Sequence, residues 1–419
     1  MDIKAAFSEV EKNEAYIIDI LKQIIAVDTS VPPGENYEKL IDIVIPEFKE
    51  FGFVTEKVIL PEKKVKQMPW PLTGERVNLV ATLKNDQPGV SVYAHMDVVP
   101  VGEPWTRDPF GGEVEDGKLY GRGTLDMKGA IACFLGAMKV ISDLGLSPRY
   151  SINCLLCTDE ELGVYPGARY LAERGYFYNH LLWLELGSME PVQIIGAAGS
   201  IRIDLKAIGR SCHSGMNYLG INPIEELVPV LINLIRLKHK VEKRLSRLPG
   251  FPMPENPYDK MTPMFNLNVI RGGKKENMVP SDCELIINRR YIIDEKYEDV
   301  IAEIKEAVEE GRKQSKLLDL TMKIVHAYPP VEIDPKNPAA KRGREAKKAV
   351  KGYEEFIYGG MSGSTDLGFV SQILAPRQVD VASFGLVRAS NILAHAADEF
   401  VYIEDLVDLT KELVYYLCA

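Results

Sequence analysis

Histidine, cysteine and tryptophan are scarce in this chain, with six, six and three among 419 residues. Basic residues are also in the minority. Fifty Lys and Arg face sixty Asp and Glu, and the net charge of -10 leaves no basic footprint for nucleic acid. No apolar run reaches the ~20 residues of a membrane span. The first residues, MDIKAAFSEVEKNEAYIIDILKQII, are amphipathic and acidic, unlike a secretory signal. No repeat or low-complexity stretch stands out. Six scattered cysteines make no disulfide framework, which points to a reducing cytoplasm. The single CxxC, Cys154 and Cys157, lies in a strand-like run, SINCLLCT, and reads as a pair of buried core thiols. Hydrophobic content of 46% with 26% charged residues fits a globular enzyme, and the length implies two domains.

The chain then divides by rhythm. Helical spacing covers 5–27 and 36–51, with Pro32-Pro33-Gly34 between them. Strands are expected at 53–60, 78–84 and 90–99, a helix at 127–144, a strand at 150–157, a helix at 166–174 and a strand at 181–186. Such alternation predicts an α/β fold, a mostly parallel mixed sheet flanked by helices. After Glu190 the order becomes strand 200–208, helix 222–247, strands 264–270 and 282–291, and helix 294–313. That order suits a small ferredoxin-like α+β domain with both helices on one face. Alternation returns with strand 320–325, helix 336–350, a strand near 356, helix 366–373, strand 379–384 and helix 403–417. The expected organisation is a catalytic domain in two parts, 1–196 and 316–419, interrupted by an inserted domain, 197–315.

Chemistry concentrates where strands give way to loops, the usual place for sites in open α/β sheets. His95 and Asp97 end one strand, and Gly121, Gly123 and Thr124 lead into Asp126. With Glu161, Glu185 and His395, they give two imidazoles and three carboxylates suited to metal, while Asp97 is assigned otherwise. One carboxylate can bridge two ions, and Asp126 is the candidate because its glycine-rich turn allows close backbone approach. Asp97 is expected to accept a hydrogen bond from an imidazole and fix the ring's orientation. Asp159, Glu160 and Glu161 follow a strand directly. An acidic helix N-terminus accounts for Asp159. The adjacent glutamates allow one to ligate metal while the other moves protons. His180, His239 and His326 lack acidic company and read as structural.

His95-Met-Asp97, Gly121-Arg-Gly-Thr-Leu-Asp126-Met-Lys-Gly129, Thr158-Asp-Glu160-Glu161-Leu-Gly163, Glu185 and His395 stand in the order of a known family. The chain resembles, over nearly its whole length, the di-zinc amidohydrolases that include acetylornithine deacetylase, succinyl-diaminopimelate desuccinylase, aminoacylase and carboxypeptidase G. The resemblance implies a zinc-peptidase-like catalytic domain, two zinc ions per subunit, Glu160 as general base, Glu161 as ligand, and an inserted domain that forms a homodimer. Cobalt or manganese also suits such a donor set. His213, otherwise a turn histidine beside Ser214-Gly215, matches a family histidine that reaches the partner's site and stabilises the oxyanion. Asn277 matches a substrate-contacting asparagine. Arg290 matches an arginine that clamps the substrate carboxylate, although Arg289 beside it fits the same role. Ser364, in Gly363-Ser-Thr-Asp366, matches a substrate loop or, read by itself, a helix cap. The resemblance therefore implies metal-dependent hydrolysis of the amide bond of an N-acyl amino acid, with a dipeptidase or carboxypeptidase activity as the alternative. The segment Trp105-Thr-Arg-Asp-Pro-Phe110 favours the deacetylase and desuccinylase branch. The acyl group stays open.

Overall fold

Two units emerge from the computed structural model, which describes residues 2–102, 104–252, 256–375, 377–388, 390–391 and 393–419. The first unit comprises Met1–Ile195, Ile333–Tyr358 and Phe369–Ala419, and the second comprises Gly196–Glu332 and Gly359–Gly368. The fold is mixed α/β, with sheets flanked by helices.

In the first unit, β1 (Val54–Ile59), β2 (Val77–Leu83), β3 (Gly89–His95), β4 (Ser151–Cys157) and β5 (His180–Trp183) form one sheet with the strand Asp380–Ser383. The spatial order is β1-β2-β4-β3-β5, and Asp380–Ser383 lies outside β5. Strands β4, β3, β5 and Asp380–Ser383 run parallel, while β1 and β2 add antiparallel pairs at one edge. From Val90 to His95 every residue of β3 is buried, as a parallel strand covered on both faces must be. The helices of this unit include α1 (Ile3–Lys12), α2 (Glu14–Ile25), α3 (Tyr37–Glu50) and α4 (Lys128–Asp143). Helix α4 is buried from Lys128 to Met138, because α2 and the C-terminal helix Ile403–Cys418 pack on the sides the sheet leaves open. The helix expected over 5–27 is divided at Asn13, whose side-chain amide donates to the Glu9 carbonyl at 2.9 Å and competes with the helical ladder. Cys154 and Cys157 are buried thiols, and burial pushes the Cys154 thiol up.

The second unit holds β6 (Gly199–Ile208), α5 (Pro223–Val241), β7 (Met264–Gly272), β8 (Asp282–Tyr291), α6 (Tyr297–Arg312) and β9 (Asp319–Tyr328). Its sheet order is β7-β8-β6-β9, antiparallel throughout, the ferredoxin-like arrangement. Burial alternates residue by residue along β8, as expected of a sheet with one covered face. Ile201, Ile203, Leu205, Leu285 and Ile287 meet Leu227, Val230 and Leu234 of α5 and Ile304 and Val308 of α6. The two helices approach closely at Gly311, where a Cβ would stand 2.4 Å from the Val230 backbone. Sequence rhythm places the strand expected at 320–325 in the returning catalytic part. Instead, β9 pairs with β6 along its length, and the second unit continues to Glu332. Among the described residues, no helix is long and apolar enough to cross a membrane.

Candidate metal centre

Strand β3 ends at His95, whose ring is fully buried. His95 Nδ1 lies 3.0 Å from the Asp97 carbonyl oxygen, and Nε2 lies 2.9 Å from Asp126 Oδ1. A neutral ring that donates from Nδ1 to a carbonyl has its lone pair on Nε2, the atom that faces the site. Asp126 follows the turn Gly121–Leu125 and offers an oxygen to each of two imidazoles. Its Oδ2 is 3.2 Å from His395 Nε2, and the same nitrogen is 3.1 Å from Glu161 Oε1. His95, Asp126 and Glu161 each present a donor atom within 4.8 Å of the others. Glu160 and Glu185 likewise present oxygens within 4.8 Å of one another. Glu185 accepts a hydrogen bond from Trp183 Nε1 at 3.0 Å, and the Trp183 ring is stacked on Tyr93 with centroids 3.7 Å apart. The stack fixes the indole and, through it, one oxygen of Glu185.

Asp97 departs from its expected role. The imidazole bonds its main-chain carbonyl, whereas the nearer carboxylate oxygen is 3.7 Å away from Nδ1. The carboxylate instead accepts the Glu161 backbone N–H at 2.9 Å. Asp97 thus holds the histidine through its main chain and the glutamate turn through its side chain. Asp159 is not a solvated acid at a helix start either. It is fully buried, 3.2 Å from the Tyr37 hydroxyl and 3.4 Å from Arg76 Nε, and burial raises its carboxyl to about 7.

The electrostatics suit a cation. Hydrogen bonds to Asp126 and then Glu161 raise His395 to about 10. Burial opposes protonation of His95, yet its Asp126 hydrogen bond and the Asp97 charge raise it well above the ordinary value. Burial also works against ionised Asp126, but hydrogen bonds with His395 and His95 hold its carboxyl below the usual range. Glu161 is raised by burial first and by the Asp126 charge second. Converging carboxylates of this kind draw positive charge, and imidazole nitrogen with carboxylate oxygen is the donor chemistry of divalent zinc. The residues fit such an ion.

Sequence reasoning missed Glu399 and Arg122. Glu399 is fully buried and accepts the N–H groups of Gly123 at 3.1 Å and Leu125 at 2.9 Å. Arg122 Nη1 donates to its other oxygen at 2.6 Å. The local signal is an acid next to Phe400, where an apolar strand begins, and its partner Arg122 lies 277 residues away.

The other expected site residues belong to the second unit. His213 is exposed on the short strand Cys212–His213, which pairs with Met278–Val279, and its Nδ1 accepts the Gly215 N–H at 3.1 Å. The Asn277 carbonyl accepts the Ser214 N–H at 3.0 Å, so His213 and Asn277 adjoin. Arg290 Nη1 donates to Ser364 Oγ at 2.7 Å, and Ser364 Oγ donates to the Ala198 carbonyl at 2.6 Å. Arg289 is 1% exposed and ion-paired with Glu295, whereas Arg290 is half-buried. His180 and His326 are each hydrogen-bonded to a tyrosine hydroxyl at 2.6 Å, His180 to Tyr416 and His326 to Tyr291.

Residues 91–419 match the model of Peptidase family M20/M25/M40, and the chain belongs to that family. It is 31% identical over 348 residues to a protein named probable succinyl-diaminopimelate desuccinylase from Staphylococcus epidermidis, covering 78% of this chain and 82% of the relative. It is 29% identical over 298 residues to an acetylornithine deacetylase from Photorhabdus laumondii, covering 70% of this chain and 71% of the relative. In fold it is similar to the dipeptidase Dug1p from Saccharomyces cerevisiae, with a TM-score of 0.82 over 99% of this chain and 98% of that one, at 17% identity.

Proposed function

We propose that this hydrolase cleaves the amide bond of an N-acyl amino acid with two divalent cations, zinc by preference, held by His95, Asp126, Glu161, Glu185 and His395. The observation that carries the reading is the meeting of His95, Asp126, His395 and Glu161 through contacts of 2.9–3.2 Å. The two named relatives support an acyl amino acid as substrate. Bound cations would supply carbonyl polarisation and a water acidified towards neutrality. Glu160, buried beside Glu185, takes a proton from the attacking water and returns it to the leaving nitrogen. Asp97 holds the turn that carries Glu160 and Glu161. Arg290, set by Ser364, receives the free carboxylate of the substrate in a bidentate fork.

His213 donates from Nε2 to the oxyanion, since its Nδ1 is already an acceptor, and Asn277 contacts substrate beside it. Within one unit, however, His213 adjoins the start of β8 and Arg290 lies near its end, about 27 Å away at ~3.4 Å per residue. One small substrate cannot span that distance, which supports a homodimer in which His213 serves the partner's site. Ile224, Val228, Ile232 and Ile235 form an exposed apolar stripe on α5, and Ile270 is exposed on the edge strand β7, a surface suited to a second copy. Cys133, Cys154, Cys212, Cys283 and Cys418 are free thiols, which supports a cytoplasmic setting.

The test is a hydrolysis panel on metal-loaded protein, before and after chelation, with N-acetyl-ornithine, N-succinyl-diaminopimelate, N-acyl neutral amino acids and dipeptides. Chelator-sensitive release of acetate or succinate supports the proposal, and cleavage of dipeptides alone refutes it. The dimer has its own test. Mixing inactive His213→Ala with inactive Glu160→Gln subunits should restore part of the activity. Its absence after confirmed subunit exchange would remove His213 from the partner's site.

A further inference from the structure

Glu399 has no place in the chemistry above, yet it touches both loops that supply His395 and Asp126. Its backbone carbonyl accepts the Gly121 N–H at 2.9 Å. Its Oε1 accepts the N–H groups of Gly123, Leu125 and Asp126 at 3.1, 2.9 and 3.4 Å, with the Thr124 hydroxyl at 3.5 Å. Three main-chain donors can converge on one oxygen only if the turn closes tightly. Gly123 permits this with φ at +88°, and a Cβ there would come within 2.8 Å of Val98. The second oxygen of Glu399 holds Arg122 Nη1 at 2.6 Å, and Arg122 Nη2 donates back to the His395 carbonyl at 3.3 Å. Trp105 covers the guanidinium, 5.1 Å from its ring centroid. His395 itself has φ at +70°, a left-handed conformation that a non-glycine residue keeps only when its surroundings hold it.

We propose that Glu399, acting through the 121–126 turn and Arg122, is the positioning residue that sets the spacing of Asp126 and His395, and that cation affinity at this pair depends on it. The inference rests on the metal reading given above. The carboxylate is matched to its place: every group facing it is a donor, on both oxygens. Glutamine has the same shape but must turn its NH₂ either towards Arg122 or towards the three backbone N–H groups. Either orientation sets donor against donor and loosens one side of the clamp. Groups that orient metal ligands typically cost ~10–100-fold in metal affinity when changed.

The experiment is competition between a chromophoric chelator and the full-length chain for Zn²⁺ or Co²⁺, with the visible spectrum of the cobalt form recorded alongside. Glu399→Gln is expected to bind about 10–100-fold more weakly and to shift the cobalt bands, with near-UV circular dichroism retained. Arg122→Lys keeps the charge opposite Glu399 but cannot fork to His395, and about tenfold weaker binding is expected. A purely structural role would lower the melting temperature of the metal-free protein and leave the affinity of folded molecules unchanged. Affinity within twofold of the unsubstituted chain in folded Glu399→Gln overturns the proposal. If that variant does not fold, Arg122→Lys decides by the same criterion. Failure of the unsubstituted chain to bind any cation would instead bring down the metal reading, and this inference with it.

Discussion

Loading the metal-stripped protein with a divalent cation should expel protons, and their number follows from the site's geometry. His395 Nε2 sits 3.2 Å from Asp126 and 3.1 Å from Glu161, and those carboxylates raise it to about 10. His95, 2.9 Å from Asp126, is raised in the same direction against the opposing effect of burial. Both rings therefore carry a proton at neutral pH when no cation is present, and both must lose it to ligate. Because the four groups titrate together, the count belongs to the cluster. About two protons per chain are expected near pH 8, falling as pH rises through about 10, above which His395 is already neutral. Over the same range, log Kd should fall by about one per pH unit for each proton displaced. Isothermal titration calorimetry in buffers of different ionisation enthalpy gives the count directly, and His395→Asn should lower it by about one. Stability has a matching sign. A folded pKa raised above the unfolded ~6.5 stabilises fully below that value and loses its contribution as pH rises through about 10. The stripped protein should therefore lose melting temperature from pH 7 to pH 10, and the loaded protein should not lose this contribution. Release below about half a proton per chain near pH 8 would show that Asp126 and Glu161 do not hold the two imidazoles protonated.

Glu160→Gln should lower kcat by ~10²–10⁴ while retaining metal, whereas Glu161→Gln should lose metal by elemental analysis. The reverse pattern would exchange their roles. Arg290→Ala should raise KM about ten- to a hundredfold, as loss of a charge-assisted hydrogen bond implies, with the fold intact. Arg289→Ala should instead cost about 3–5 kcal/mol in denaturant unfolding, because it leaves buried Glu295 without this partner. Arg76→Met should likewise destabilise by about 3–5 kcal/mol at pH 8 and by less at pH 5. The sign follows from Asp159, whose carboxyl is raised by burial to about 7. Between its unfolded value and 7 the native state binds more protons, so stability falls as pH rises, more steeply once Arg76 is gone. Equal destabilisation at the two pH values would detach Asp159 from that penalty.

The sequence revealed those features whose partners lie nearby or repeat with a period. Apolar period fixed β4, α4 and the alternating β8 to within a residue or two, since burial on one or both faces writes itself into neighbouring positions. For β3 it fixed only the start, since the strand expected to 99 ends at His95. The end of β3 marked His95, and the turns that follow strands marked Asp126 and Glu161, since polar groups brought next to a buried strand must find partners. What stayed hidden depended on distant chain. Period cannot say which sheet a strand joins, so β9 was given to the first unit although it pairs with β6, more than a hundred residues earlier. The helix expected over 222–247 ends at Val241, where the chain turns out and Arg244 reaches Glu295 and Glu303, at 2.8 and 2.6 Å. Asp97 was assigned to the right neighbourhood with the wrong bond, because residue type does not distinguish a main-chain acceptor from a side-chain one. Glu399 is the extreme case. Nothing in Asp398-Glu399-Phe400 marks a buried acid, and only the fold brings Arg122 and three backbone N–H groups around it. Ligands must be histidine or acid wherever they fall, so their chemistry shows in the sequence. The groups that space them need only complement a local geometry, which becomes visible only after folding.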